Sequence, residues 1–227
     1  MPNALRRVAL VSLTVTALVV AVAPSPGAAP SWAPAATAAI HPGVQTMTDG
    51  AQCTANFVFA DSANVYIGQA AHCSGTGGST ETNGCTSASL PIGTPVTVTG
   101  ASKPGTLVYN SWLTMQALGE ADANTCAYND LALVKLDPAD VANVNPSIPH
   151  WGGPVGLATA GTTVGETVYS YGNSELRGGV TLLSPKTGVS LGTQAAAGAT
   201  TSRPSRPASR ETRAARSWTR PVTRSVC

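Results

Sequence analysis

From residue 40 onward the chain is built of short apolar or alternating runs: Asn56 to Phe59, Val65 to Gln69, Pro95 to Gly100, Thr106 to Tyr109, Leu131 to Leu136, Thr163 to Tyr171 and Val180 to Leu183. Clusters of Gly, Pro, Asn and Ser separate them. This spacing predicts an all-β barrel or sandwich, because a strand needs only a two-residue period and turn residues punctuate successive strands. Val96 and Val98 alternate with Thr97 and Thr99, as expected of a strand with one face buried. No run in this part of the chain has a helical period, so no helix is expected. The Gly/Pro-rich stretch from Pro146 to Gly161 reads as a linker between two β units, 40–145 and 146–194.

The two ends have a different character. Arg6 and Arg7 precede an uncharged run from Val8 to Ala23, and small residues follow, which is the pattern of a secretory signal peptide over residues 1–23. The run is short for a membrane anchor and is interrupted by Ser12, Thr14 and Thr16. Residues 24–39 are rich in Ala and Pro and read as a leader or short propeptide that does not pack. Export makes disulfides permissible, so the five cysteines are read as two bridges and one left over. Cys53 and Cys73 flank the segment with Phe57, Val58, Phe59 and His72, whereas Cys85 and Cys126 bracket the region before Asp130. Paired in that way, they fix the loops that carry His72 and Asp130. Cys227 is left unpaired.

Charge changes the picture once it is divided along the chain. The formal net charge is +2, but seven of the thirteen Lys/Arg residues lie in 195–227 and two more in the signal. Between residues 24 and 194 there are four basic residues (Lys103, Lys135, Arg177, Lys186) against ten acidic ones, so the body is acidic. Binding to nucleic acid would rest on the tail alone, which has no aromatic interleaving and no binding-module pattern.

The candidate chemistry centres on Gly68-Gln69-Ala70-Ala71-His72-Cys73, where a strand-like run delivers a histidine to a loop. Histidine takes and returns a proton near neutrality, as a general base must. A second motif, Asn129-Asp130-Leu131-Ala132-Leu133-Val134-Lys135-Leu136, places a carboxylate at the start of a strongly apolar strand. A buried Asp needs a partner there, and the imidazole of His72 is the expected one. A carboxylate on one ring nitrogen orients the imidazole and leaves the other nitrogen to activate a hydroxyl. Taken singly, His72 could be a surface or core histidine and Asp130 a turn or capping residue.

Together these motifs resemble the trypsin/chymotrypsin-like serine endopeptidases. Ala-Ala-His-Cys with Cys53 about twenty residues earlier, and Asn-Asp-Leu-Ala-Leu-Val-Lys-Leu, carry the likeness. Tyr169-Ser170-Tyr171-Gly172-Asn173-Ser174-Glu175-Leu176-Arg177 and Leu183-Ser184-Pro185-Lys186-Thr187-Gly188 resemble the second barrel of secreted actinobacterial members. The resemblance runs from about Ile40 to Gly192. It implies two six-stranded antiparallel β-barrels, with His72 as general base and Asp130 as its orienter. Two features depart from it: no Ile-Val-Gly-Gly-type segment is present, and no Gly-Asp-Ser-Gly. The nucleophile is therefore expected to be absent from the chain as it stands, and the second barrel incomplete. Ser205, Ser209, Ser217 and Ser225 lack the required context.

Residues 195–227 are mostly Ala, Thr, Ser, Pro and Arg and read at face value as a disordered basic tail. The genetic code offers a sharper account. Joining the third base of each codon from Pro207 to Cys227 to the first two bases of the next allows the reading GIPGDSGSAVLDATGNAVGV. The tail is thus expected to be an out-of-frame translation of a catalytic-serine region. The leading expectation is a secreted, extracellular, monomeric serine endopeptidase by descent, acting on protein or peptide, without cofactor, metal, nucleic acid or membrane once the signal is removed, and inactive as it stands. The alternatives are a non-catalytic binding protein on a protease-like scaffold, and a structural or cell-wall module. A zinc site from His41, His72 and His150 lacks any metal-ligand spacing.

Overall fold

The computed structural model describes residues 30–78, 82–156, 160–177, 180–194 and 199–204. The expected signal peptide and the tail beyond residue 204 lie outside them. Among the described residues, ten strands form two antiparallel sheets. The larger contains β1 (Gln45–Thr48), β2 (Ala51–Thr54), β3 (Val58–Ala60), β4 (Val65–Gln69), β5 (Pro95–Val98), β6 (Gly105–Asn110) and β7 (Ala132–Lys135), in the spatial order β2-β1-β5-β6-β7-β4-β3. The smaller has the order β10-β9-β8, with β8 at Val164–Tyr171, β9 at Pro185–Gln194 and β10 at Ala199–Pro204.

The larger sheet curls on itself. β1 and β4 are separated by three strands in the hydrogen-bonded order, yet Gln69 Nε2 of β4 donates to Thr48 Oγ1 of β1 at 3.1 Å. The inward residues of the central strands, Val65, Ile67, Val96, Val98, Leu107, Ala132 and Val134, enclose one apolar core with Ile40 and Val144. The strict alternation in β5, where Val96 and Val98 are buried and Pro95 and Thr97 exposed, reflects the two-residue period of a strand with one dry face. A two-residue turn, Asp49-Gly50, joins β1 to β2 with both residues at positive φ (47° and 83°), the geometry in which Asp-Gly is favoured.

The second sheet carries little core of its own. Among the described residues from 146 onward, Val168 is the one buried apolar side chain, whereas Val164 (77% exposed) and Leu191 (57%) face solvent. Among the described residues the architecture is mostly β, a curled half-barrel beside a small second sheet, consistent with a trypsin-like double-barrel fold. The segment between β8 and β9 holds the units together. Asn173 N–H donates to Thr54 Oγ1 (2.9 Å), Asn173 Nδ2 donates to the Gly43 carbonyl (3.0 Å), and Gln45 Nε2 donates to the Asn173 carbonyl (3.3 Å).

Several expectations require correction. Two short helices occur where none was expected, α1 (Ser111–Leu118) and α2 (Ala123–Tyr128). Their ends, not their periodicity, specify them: Asn110 and Asp122 cap their N-termini, and Gly119 closes α1 at φ 65°. Val180 to Leu183 is not a strand; Thr181–Leu183 forms a 3₁₀ turn. β1 and β9 have buried positions that read as polar, Thr46, Thr48, Lys186 and Ser190, and β2 buries only Cys53, so no apolar alternation marks these strands. Residues 30–39 do pack: Trp32 lies against the main core, Ala33 N–H donates to the Val144 carbonyl (2.9 Å), and Asn145 Nδ2 donates to the Ala33 carbonyl (2.6 Å). Within the expected disordered tail, residues 199–204 form β10 on the edge of β9. Edge pairing uses main-chain groups and tolerates almost any side chain. Residues 195–198 and 205–227 lie outside the described residues.

Candidate active site

The sheet order brings the two motifs together. β4 and β7 are adjacent and antiparallel, with Gln69 opposite Ala132, so the end of β4 and the beginning of β7 share one rim. His72 lies just beyond Gln69, on a 3₁₀ turn spanning Ala71–Ser74, and Asp130 just before Ala132. Gly68, within β4, is required by close approach: a Cβ there would overlap the side chain of Asn56.

Both oxygens of Asp130 are engaged by the same residue. His72 Nδ1 lies 2.7 Å from Asp130 Oδ2, and the His72 backbone N–H donates to Asp130 Oδ1 at 2.9 Å. The side chains are partly shielded, 30% exposed for His72 and 19% for Asp130. Burial alone would lower the His72 pKa, but the hydrogen bond and charge of Asp130 outweigh it and raise the pKa above 6.5. Nδ1 is held by Asp130, and no hydrogen-bond partner among the described residues takes Nε2.

This shift has a consequence for stability. The folded-state pKa exceeds the unfolded one, so the favourable linkage is fully present below about 6.5 and is lost as pH rises through the raised folded value. Asp130→Asn is therefore expected to lower the denaturant midpoint more at pH 5.5 than at pH 8.5. Urea titrations of both proteins at the two pH values test this.

Two disulfides brace the rim. Cys53–Cys73, with Cα atoms 6.0 Å apart, ties β2 to the turn carrying His72. Cys85–Cys126, with Cα atoms 5.2 Å apart, ties α2, which runs into Asn129 and Asp130, to the loop before β5. Cys85 also packs with Ala71, Trp112 and Met115 in a small apolar cluster that includes the residue before His72. These are the two pairs expected from the sequence, and they are compatible with an extracellular protein. Among the described residues no helix is long and apolar enough to cross a membrane. The Cys85–Cys126 bridge spans 41 residues, so the chain-entropy model assigns it about 4 kcal/mol. Replacing both cysteines by Ala is expected to lower unfolding free energy by about that amount in a chemical-denaturation experiment.

The other histidines lie elsewhere. His41 Nδ1 is 2.8 Å from the Pro42 carbonyl, and His150 packs edge-on against Trp151. Cys53, His72 and Cys73 have donor atoms within 4.8 Å of one another, but both sulfurs are consumed in a disulfide and offer no thiolate. Asn110 and Ser111 stand outside the two sequence motifs, yet they are fully buried and hydrogen-bond to the loops of the pair. The available signal was an Asn-Ser step directly after a strand, a helix-start pattern.

The chain is similar in structure to Thermobifida fusca Protease A, with 16% sequence identity, a TM-score of 0.39, and 66% of this chain and 59% of that chain covered. It thus spans less than two thirds of that protein's length. No protein-family model matches the sequence. No curated protein matches it either.

Proposed function

We propose that the chain is a secreted serine endopeptidase by descent, with His72 as general base and Asp130 as its orienting carboxylate, and that it does not turn over as it stands. The observation that carries this reading is the two-point contact, Nδ1 to Oδ2 at 2.7 Å and backbone N–H to Oδ1 at 2.9 Å. A carboxylate held this way fixes the imidazole tautomer and stabilises the imidazolium formed during acyl transfer. It leaves Nε2 to accept a proton from a serine hydroxyl as that oxygen attacks a peptide carbonyl. The same nitrogen then returns the proton to the departing amine. The substrate class is protein or peptide, and the working form is a monomer without cofactor, metal, nucleic acid or membrane partner.

The missing half of the chemistry is the nucleophile and its oxyanion-binding amides. The Gly-Asp-Ser-Gly reading available in the neighbouring frame of residues 207–227 supports a catalytic-serine segment displaced by a frame change. The sparse apolar burial of the second sheet fits the loss of the strands that such a segment would supply. Treating the purified chain with a serine-directed phosphonylating reagent tests the reading. No stoichiometric adduct and no peptide cleavage are expected. A stoichiometric adduct on one serine accompanied by peptide hydrolysis would contradict it.

A further inference from the structure

His72 and Asp130 meet correctly only if three peptide groups face the right way. One is the Ala71–His72 peptide, whose N–H donates to Asp130 Oδ1. The other two flank Asp130. Two consecutive buried residues, at the junction of β6 and α1, hold all three.

Asn110 Nδ2 donates to the Ala71 carbonyl at 3.3 Å and to Ser89 Oγ at 3.1 Å. Its Oδ1 meanwhile accepts the Trp112 N–H at 2.8 Å and caps α1. The Ala71–His72 peptide is therefore gripped at both ends, its carbonyl by Asn110 and its N–H by Asp130. Ser111 Oγ donates to the Asn129 carbonyl at 2.9 Å and accepts the Leu131 N–H at 3.0 Å, so one hydroxyl binds the peptides before and after Asp130. The Ser111 N–H adds a bond to the Leu131 carbonyl at 2.8 Å. Capping α1 would require only the Trp112 contact. Of the remaining side-chain bonds, one reaches Ser89 and the other three reach the two loops, far away in sequence, that carry the pair.

We propose that Asn110 and Ser111 act together as positioning residues that set the separation and angle of the His72–Asp130 pair. The proposal rests on the reading of that pair as a base and its orienter. Neither side chain meets a reacting atom; both act through the backbone of the two loops. A hydroxyl that is buried and bonded as both donor and acceptor cannot be removed without leaving a carbonyl and an N–H to find new partners. The loop around Asp130 then relaxes, and its carboxylate leaves the line of His72 Nδ1.

The test is an NMR titration of the His72 imidazole in the full chain, assigned against His41 and His150 by substitution. Ser111→Ala and Asn110→Ser are compared with the unsubstituted protein. Ser190→Ala serves as a control, since it removes a buried hydroxyl bonded to Thr162 Oγ1 (2.6 Å) in the second sheet. In Ser111→Ala and Asn110→Ser the His72 titration midpoint is expected to move down toward the ordinary value, with loss of the downfield Nδ1 proton resonance. Ser190→Ala is expected to leave both unchanged. Folded Ser111→Ala and Asn110→Ser proteins that lose thermal stability but keep the His72 titration would overturn the proposal, leaving only a structural role. Should Ser111→Ala not fold, Asn110→Ser decides, because its shorter hydroxyl still caps α1 but does not reach the Ala71 carbonyl. The titration reads the pair whether or not any form of the chain hydrolyses peptides, so failure of the protease reading would be seen separately, as inactivity of a frame-restored chain.

Discussion

A chain in which the region after residue 194 is read in the neighbouring frame, so that it contains GIPGDSGSAVLDATGNAVGV, is expected to hydrolyse peptide bonds, whereas the chain as it stands is expected not to. The expected contrast is about 10⁶-fold in kcat, the scale on which loss of a nucleophile is felt when base and orienter remain. On this reading His72 and Asp130 alone would not supply this rate, because a base and its orienter need a nucleophilic hydroxyl to act on. Restoration is also expected to raise the melting temperature, because new strands would cover Val164 and Leu191, which are now solvent-facing. The experiment measures amine release from a peptide library together with stoichiometric phosphonylation of the restored serine. A restored protein that folds with its second sheet protected, yet neither cleaves nor reacts, would contradict the assignment.

The second large effect belongs to Asp130. In the frame-restored chain, Asp130→Asn is expected to lower kcat by about 10⁴-fold, because an amide in place of the carboxylate presents His72 in the wrong tautomer and no longer stabilises the imidazolium. The substitution is nearly isosteric, so folding should survive it. His72→Ala should cost at least as much. The pH profile gives an independent reading. The base must be neutral to accept a proton, and Asp130 holds the His72 pKa above 6.5, so activity should rise with pH through that raised value. Removing the carboxylate should move the remaining activity's ascending limb to lower pH. An Asp130→Asn protein with undiminished kcat would rule out the orienting role.

The parts of this fold that were legible in the sequence are those where side-chain pattern and backbone agree. β4 was anticipated at its observed bounds, Val65–Gln69, and β5 and β7 within a few residues, since each alternates or runs apolar against the core. β1 was not, because its buried positions are Thr46 and Thr48, which a pattern built on apolar residues counts as polar. α1 escaped notice because only Ser111, Trp112 and Met115 are buried, leaving no stripe to detect. The proximity of His72 to Asp130 could be expected from the chemistry of a buried carboxylate, yet its cause is the antiparallel register of Gln69 with Ala132, which no local pattern encodes. Asn110 and Ser111 were invisible for the same reason: their partners are brought to them by the sheet, not by spacing along the chain.

The most direct test of the central claim is the nucleotide sequence of the codons for residues 207–227. The account predicts third bases of G, G, T and G at Arg210, Glu211, Thr212 and Arg213, so that the neighbouring frame spells Gly-Asp-Ser-Gly, with GIPGDSGSAVLDATGNAVGV running open around it. Any other base at Thr212 removes the serine, and a stop codon within that frame closes the reading. Either result would contradict descent of this tail from a catalytic-serine segment.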